Sequence, residues 1–233
     1  MKPSLPQIGV GGLVLGARER ELVLKVLDSN RLSYGPMSRE FEKMFSGLHD
    51  CRYGLFCNSG TSALHLALTA LAEHDHWEAG DEVIVPATTF IATANVILHS
   101  GLRPVFVDVQ PDTFNIDPEQ IREKITERTR AILPVHLLGL PADMGPILEL
   151  GRRHNLRVVE DSCESMFAEY KGCRVGSMGQ VGCFSTYVAH VVTTGVGGIA
   201  VTRDAGLADI MRSLLHHGRD SRYISIDDDQ NLN

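Results

Sequence analysis

Residues 183–198 read CFSTYVAHVVTTGVGG and form the most informative segment of the chain. The residues from Cys183 to Tyr187 begin with an apolar pattern typical of a buried strand, and small residues and glycines follow. One imidazole, that of His190, lies in the second part, and no lysine lies near it. Ligands of parallel sheets bind in the loops after the strands. The segment therefore predicts a functional loop that carries His190.

Three upstream segments also place polar residues directly after a strand pattern. They are Asn-Ser-Gly-Thr at 58–61, Ala-Thr-Thr-Phe at 87–90 and Val-Glu-Asp-Ser-Cys-Glu at 159–164. The carboxyl ends of parallel strands lie at one edge of a sheet. We therefore expect all four segments to meet in one pocket.

Strand and helix patterns alternate from Thr61 to Leu215, with strands that include 82–86, 103–109, 131–137 and 157–160. This order predicts an α/β fold with a mostly parallel central sheet and helices on both faces. Residues 1–16 are expected to form an extended arm, and residues 17–233 a single domain. Two local expectations are a helix capped by Ser38 and a small hairpin at 172–182.

The composition excludes several classes of protein. A chain of 233 residues with 43% hydrophobic and 22% charged residues is typical of a globular domain, and the net charge of −7 argues against nucleic-acid or anionic membrane surfaces. No apolar run approaches the roughly 20 residues that span a bilayer, and no secretory signal is recognised. The five scattered cysteines predict reduced thiols, a cytoplasmic protein and no metal site.

Several residues are candidates for binding an anion. Gly60 and Thr61 open a predicted helix, whose free N–H groups and dipole attract a phosphate. An ordinary helix N-cap also explains these residues, and taken alone it is the better explanation. Ser185 adds a hydroxyl that can join the same phosphate site, although most serines in strands have no such role.

Other candidates suit a flat ring. Phe90 can stack on such a ring, but it fits equally well as a core residue at a helix start. Asp161 ends an apolar strand, where a buried carboxylate needs a partner such as a protonated pyridine nitrogen; a capping role is the alternative. Glu164 can reach a ring hydroxyl or a substrate, or lie in solvent. His217 is a weaker candidate for a pocket residue.

Taken together, these segments resemble the DegT/StrS-type sugar aminotransferases, which are pyridoxal phosphate (PLP) enzymes of fold type I. The resemblance runs from Leu32 to Gly218 and includes LSYGP at 32–36, NSGTSAL at 58–64, PATTF at 86–90, FVDV at 106–109, PVHLLG at 134–139 and ED at 160–161. It implies phosphate contacts from Gly60, Thr61 and Ser185. It also implies ring stacking by Phe90 and a ring-nitrogen contact by Asp161.

His190 occupies the position at which the family's aminotransferases carry the lysine that binds PLP covalently. A histidine there resembles the sugar 3-dehydratase branch, and residues 161–165 are similar to those of a GDP-4-keto-6-deoxymannose 3-dehydratase. The resemblance implies PLP or its amine form PMP held non-covalently, with glutamate as amino donor and a nucleotide-linked 4-keto-6-deoxy sugar as substrate. His190 would act as the base while the sugar's C3 hydroxyl leaves.

Two alternatives remain open at this point. The protein is a sugar aminotransferase that tolerates loss of the lysine, or a non-catalytic relative that binds PLP. The family usually has glutamate at the position of Val196, and its smaller C-terminal domain is missing from this chain; both departures favour the non-catalytic alternative. The resemblance also implies a homodimer whose active sites lie between subunits.

Overall fold

The structure is a computed structural model that describes residues 12–219, so most of the expected arm at 1–16 and the end of the expected domain lie outside the described part. The helices are α1 Ala17–Asp28, α2 Pro36–Leu48, α3 Gly60–His74, α4 Ile91–His99, α5 Pro118–Lys124, α6 Met144–His154 and α7 Ala205–Leu215. The strands are β1 Tyr53–Cys57, β2 Glu82–Pro86, β3 Arg103–Val107, β4 Thr129–Ile132, β5 Arg157–Asp161, β6 Glu169–Tyr170, β7 Cys173–Arg174, β8 Val181–Ser185 and β9 Gly198–Thr202.

A seven-stranded sheet in the order β1-β9-β8-β5-β4-β2-β3 forms the centre of the fold. Strands β8, β5, β4, β2 and β3 are parallel, whereas β9 runs antiparallel to both of its neighbours, β8 and β1. The predicted α/β fold with a mostly parallel sheet is confirmed. No helix among residues 12–219 is both long and apolar enough to cross a membrane.

The central part of the sheet is buried on both faces, which explains the continuous apolar run Val83–Val85 within β2. In β2, Val83 and Val85 pack in the cluster that contains the Ala- and Leu-rich side of α3, and Ile84 packs with Ile147 of α6 on the other side. Each of these three β2 side chains is fully buried. The alternation places α3 on one face of the sheet and α6 on the other.

Two local expectations are wrong. Helix α2 begins at Pro36 with Gly35 as N-cap, not at Ser38, because the fixed φ of proline suits the first helical position. The predicted hairpin at 172–182 is instead the short pair of β6 and β7, turned at Lys171 and Gly172 with positive φ values. The residues that follow β7 surround the buried Glu160 carboxylate, which binds their backbone.

Glu160 is fully buried and has a hydrogen bond to each of four donors. Its Oε1 accepts the N–H groups of Met178 at 2.7 Å and Gly179 at 2.6 Å, and its Oε2 accepts the N–H of Gly176 at 2.8 Å. The Nε2 of His136 lies 3.0 Å from Oε2 and donates to it, because the Nδ1 of the same ring accepts the N–H of Ala142. This network holds the 175–180 loop against β5.

His49 is a fully buried imidazole among aromatic rings. Its ring stacks on Phe45 and Phe167 at centroid distances of 5.0 Å and 5.3 Å, and its Nδ1 lies 3.0 Å from the Val175 carbonyl oxygen. Its Nε2 is buried without a hydrogen-bond partner among the described residues. Burial lowers the pKa of His49, so the neutral ring is the form that the native state favours.

We expect the free energy of unfolding to fall as the pH drops below about 6.5, because the unfolded chain then protonates His49 and the native state does not. One such group contributes at most about 1.4 kcal/mol per pH unit. Urea denaturation at several pH values should show a shallower dependence in His49→Gln than in the wild type. His154→Gln, which removes an exposed histidine, is the control. Equal pH dependence in the wild type and His49→Gln would contradict this explanation.

Candidate active site

A cleft of about 430 Å³ opens at the carboxyl ends of the parallel strands. It is lined by residues from all four segments that the sequence singles out. The lining contains every residue predicted to bind the cofactor or to act in catalysis: Gly60, Thr61, Phe90, Asp161, Glu164, Ser185 and His190. His217 lies beyond the end of α7 and outside the residues that line this cleft, so its role stays a prediction.

The start of α3 forms one wall of the cleft. Ser59 is the N-cap, and its hydroxyl accepts the N–H of Ser62 at 3.0 Å. The cap and the anion site are compatible, because the N–H groups of Gly60 and Thr61 belong to the first turn, which has no intrahelical acceptors. A Cβ on Gly60 would lie only 2.8 Å from the Ser185 Cβ, so the absence of a side chain lets Ser185 approach the helix end.

Asp161 is the last residue of β5, and its side chain is buried. Its Oδ2 accepts the hydroxyl of Thr93 at 2.8 Å, and its Oδ1 accepts the N–H of Cys163 at 3.2 Å. Burial raises the pKa of this carboxyl above its usual value, and these two hydrogen bonds act in the opposite direction. Both donors are neutral, so the carboxylate still gains from a positive partner such as a protonated ring nitrogen.

Glu164 follows Asp161 on the same loop and is exposed. Its Oε2 accepts the N–H of Leu138 at 3.0 Å. Leu138 has a positive φ of 52° and lies in the middle of a short turn. The Leu137–Gly139 turn is itself held by Asn115, whose Oδ1 accepts the Leu137 N–H. A carboxylate is thereby oriented at the rim of the cleft.

His190 lies in the loop between β8 and β9. Its N–H donates to the Tyr187 carbonyl at 2.9 Å, and the two rings are 6.4 Å apart in an edge-on arrangement. The loop ends are tied by a 2.6 Å hydrogen bond between the Thr186 and Thr194 hydroxyls. At Gly198 a Cβ would lie 2.3 Å from the Ser59 carbonyl, so glycine is required where the loop passes the start of α3.

The chemistry of this donor set fits a pyridoxal phosphate group. A helix N-terminus with an adjacent hydroxyl suits the phosphate, a buried carboxylate suits the ring nitrogen, and the Phe90 ring, 72% exposed at the start of α4, suits the ring face. Among the described residues, the lining of the cleft contains no lysine. Sequence reasoning missed Thr93, because a threonine within a helix carries no signal that its hydroxyl meets a carboxylate from another element.

A second depression, of about 700 Å³, lies at the amino end of β4 near Asp75, Arg130 and His154. Its charged groups pair with protein neighbours: Asp75 with Arg157 at 2.6 Å, and Arg130 with Asp81 at 2.8 Å. It contains none of the residues predicted to act in binding or catalysis, and it lies away from the strand ends where ligands of such sheets bind.

Comparison with known proteins assigns the chain to a family. Residues 14–227 match the profile of the DegT/DnrJ/EryC1/StrS aminotransferase family. The chain belongs to this family, and membership confirms the expected fold and agrees with an enzyme that uses PLP or PMP.

Proteins of both expected enzyme classes, aminotransferase and dehydratase, are similar to the chain. GDP-perosamine synthase of Caulobacter vibrioides is 45% identical over 218 residues, which are 93% of this chain and 58% of that protein. The aminotransferase of Psychrobacter cryohalolentis has a TM-score of 0.86 at 39% identity, over 91% of this chain and 53% of that one. E. coli GDP-4-keto-6-deoxy-D-mannose-3-dehydratase, solved with bound hydrated PLP, has a TM-score of 0.82 at 33% identity, over 88% and 53%.

The chain spans about half the length of the relatives that it matches. These relatives include aminotransferases and a dehydratase, so similarity alone assigns the family and leaves the branch open. Residue 190 is the position at which the two chemistries are expected to differ.

Proposed function

We propose that this protein removes the C3 hydroxyl from a nucleotide-linked 4-keto-6-deoxy sugar, using PLP and PMP held without a covalent bond. The observation that carries this proposal is the position of His190, which lines the cleft where the family's aminotransferases are expected to have lysine. An imidazole cannot anchor the cofactor aldehyde covalently. It can exchange a proton near neutral pH.

The remaining residues have roles in binding and orientation. Gly60 and Thr61 offer backbone N–H groups to the phosphate, and Ser185 offers its hydroxyl. Phe90 covers one face of the ring, and Asp161 keeps the ring nitrogen protonated. When bound, the cofactor supplies a ring that accepts electrons from the reacting bonds.

His190 performs the proton transfer. One ring nitrogen would accept the proton of the cofactor carbon that carries the amino group (C4′), and the resulting imidazolium would give that proton to the departing C3 hydroxyl, which leaves as water. Glu164, oriented at the rim by the Leu138 N–H, is available to contact the ring hydroxyl or the substrate. Glutamate is the proposed amino donor that converts PLP to PMP.

Sugar transamination is the second candidate function. It is supported by the 45% identity to GDP-perosamine synthase and by the structural similarity to an aminotransferase. A non-catalytic PLP-binding role is the third, supported by the apolar Val196, which is 68% exposed and lines the cleft. His190, Asp161 and Ser185 in one cleft favour the catalytic functions over the third candidate.

We also propose that the protein is cytoplasmic and forms a homodimer. Large apolar side chains at the mouth of the cleft are exposed, among them Phe90, Tyr187 and Val196. A second copy that covered this surface would remove these side chains from water, which is favourable.

Borohydride reduction tests how the cofactor is held. The wild-type protein should bind PLP, yet after reduction and denaturation its mass should be unchanged, because no lysine-linked cofactor is present to reduce. Incubation with PLP, glutamate and GDP-4-keto-6-deoxymannose should give a 3-deoxy sugar, identified by mass spectrometry. A reducible covalent cofactor together with an amino sugar would establish transamination instead. Binding of PLP without turnover of this or any other nucleotide-linked 4-keto-6-deoxy sugar would favour the non-catalytic role.

A further inference from the structure

A chain of hydroxyl groups leads from the cleft to Asp161. The Thr89 hydroxyl donates to Thr93 Oγ1 at 2.8 Å, and the Thr93 hydroxyl donates to Asp161 Oδ2 at 2.8 Å. The other carboxylate oxygen accepts the N–H of Cys163 at 3.2 Å. Each oxygen of Asp161 therefore has a backbone or hydroxyl donor from the protein, and the Cys163 side chain also hydrogen-bonds to the carboxyl group, which together hold its orientation.

The direction of this chain follows from the chemistry of threonine. A hydroxyl has one proton, and Thr93 uses its oxygen to accept from Thr89, so its proton is committed to Asp161. Thr93 is 0% exposed in the first turn of α4, where water cannot replace either partner. Thr89 is half-buried and lines the cleft.

We propose that Thr93 is a positioning residue that holds Asp161 against the cofactor ring and keeps the ring nitrogen protonated, with Thr89 orienting the Thr93 hydroxyl. The proposal rests on the PLP cofactor of the proposed function. It assigns a role to two threonines that do not need to touch the cofactor.

The physical basis is stabilisation of the ionised carboxylate. A hydrogen bond to the charged form favours that form, so the Thr93 hydroxyl counteracts the rise in the pKa of Asp161 that burial causes. A less basic carboxylate leaves the shared proton on the ring nitrogen. Further titratable groups lie around Asp161: His136, Cys163 and Cys183 interact with it, and Glu164 and His190 line the same cleft.

The experiment compares two ligands on the same variants. One ligand is PLP, and the other is a PLP analogue whose ring nitrogen is replaced by carbon. Thr93→Val keeps the side-chain shape and removes the hydroxyl. We expect it to bind PLP about tenfold more weakly than the wild type, as loss of a hydrogen bond to a charged group predicts. The analogue should bind the wild type and Thr93→Val equally well, because it has no nitrogen for Asp161 to hold.

The absorbance of bound PLP gives a second readout. In Thr93→Val it should change toward the spectrum of an unprotonated ring, and Thr93→Ser should restore the wild-type spectrum and affinity. Thr89→Val leaves the buried Thr93 in place, so it provides the same comparison if Thr93→Val does not fold. It should also weaken PLP binding and spare the analogue.

Thr202→Val is the matched control, because Thr202 is a buried threonine in β9 whose hydroxyl bonds the Gln180 carbonyl. It should leave binding of both ligands unchanged. Equal loss of affinity for PLP and for the analogue in Thr93→Val would overturn the proposal in favour of a purely structural role, and unchanged PLP binding would also overturn it. A wild-type protein that binds neither ligand would be a different result, since it would remove the cofactor assignment itself.

Discussion

Replacement of His190 by asparagine is expected to stop dehydration of the sugar while PLP stays bound. Asparagine is similar in size and polarity, but it cannot accept a proton near neutral pH. Loss of a general base typically slows a reaction by roughly 10²- to 10⁴-fold. The rate of 3-deoxy sugar formation should therefore fall, whereas the PLP dissociation constant should stay at the wild-type value. The phosphate and ring contacts from Gly60, Ser185 and Asp161 are unaffected by the substitution.

Two further variants sharpen this experiment. His99→Asn removes an exposed histidine of α4 outside the cleft and should react at the wild-type rate. His190→Lys should gain a covalent cofactor that borohydride fixes to the protein, and with it some amino sugar product. Dehydration by His190→Asn at the wild-type rate would show that the imidazole is not the base.

Replacement of Asp161 by asparagine should weaken PLP binding by about 100-fold, because it removes one partner of a buried charge pair. Fluorescence or absorbance titration with PLP measures this loss. Asp112→Asn, which changes an exposed carboxylate to the same amide, is the control for the change in net charge and should bind PLP normally. Wild-type affinity in Asp161→Asn would mean that this carboxylate does not contact the ring nitrogen.

The same substitution should have a different effect on the cofactor-free protein. Burial raises the pKa of Asp161, so the native state binds this proton more tightly than the unfolded chain does. Stability contributed by the proton is present at low pH and is lost as the pH rises from the unfolded value, about 3.9, through the raised native value. Asparagine does not titrate, so the variant loses no stability in this way as the pH rises. The unfolding temperature of cofactor-free Asp161→Asn should therefore fall less between about pH 4 and neutral pH than that of the wild type.

The sequence predicted correctly those helices and strands whose apolar residues repeat with a clear period. Strand β2 and helix α6 have the expected bounds, because an apolar strand ending at Pro86 and an amphipathic helix from Met144 to His154 have clear periodicity. The four polar segments met at one edge because parallel strands direct their carboxyl ends the same way. The strand order therefore predicted that the candidate residues lie in one cleft, whereas their individual roles follow from the family resemblance.

Features that depend on distant partners were not predicted. The 172–182 segment contains turn-forming residues, but its path follows the Glu160 carboxylate, which binds three of its N–H groups. Thr93 has no sequence pattern that indicates its contact with Asp161, because these residues are 68 positions apart. His217 follows a helix end that does not reach the cleft lining. The path of 172–182 and the contact of Thr93 are determined by folded neighbours, whereas the role of His217 stays a prediction.

The antiparallel strand β9 has a consequence for how such a protein can acquire a new reaction. Because β8 and β9 are neighbours in the sheet, the intervening loop begins and ends on the same rigid scaffold. Residue 190 can then be exchanged during evolution without disturbing the crossovers that build the sheet. Under the proposed function, the exchange of this one loop residue is what directs the shared fold to a different reaction.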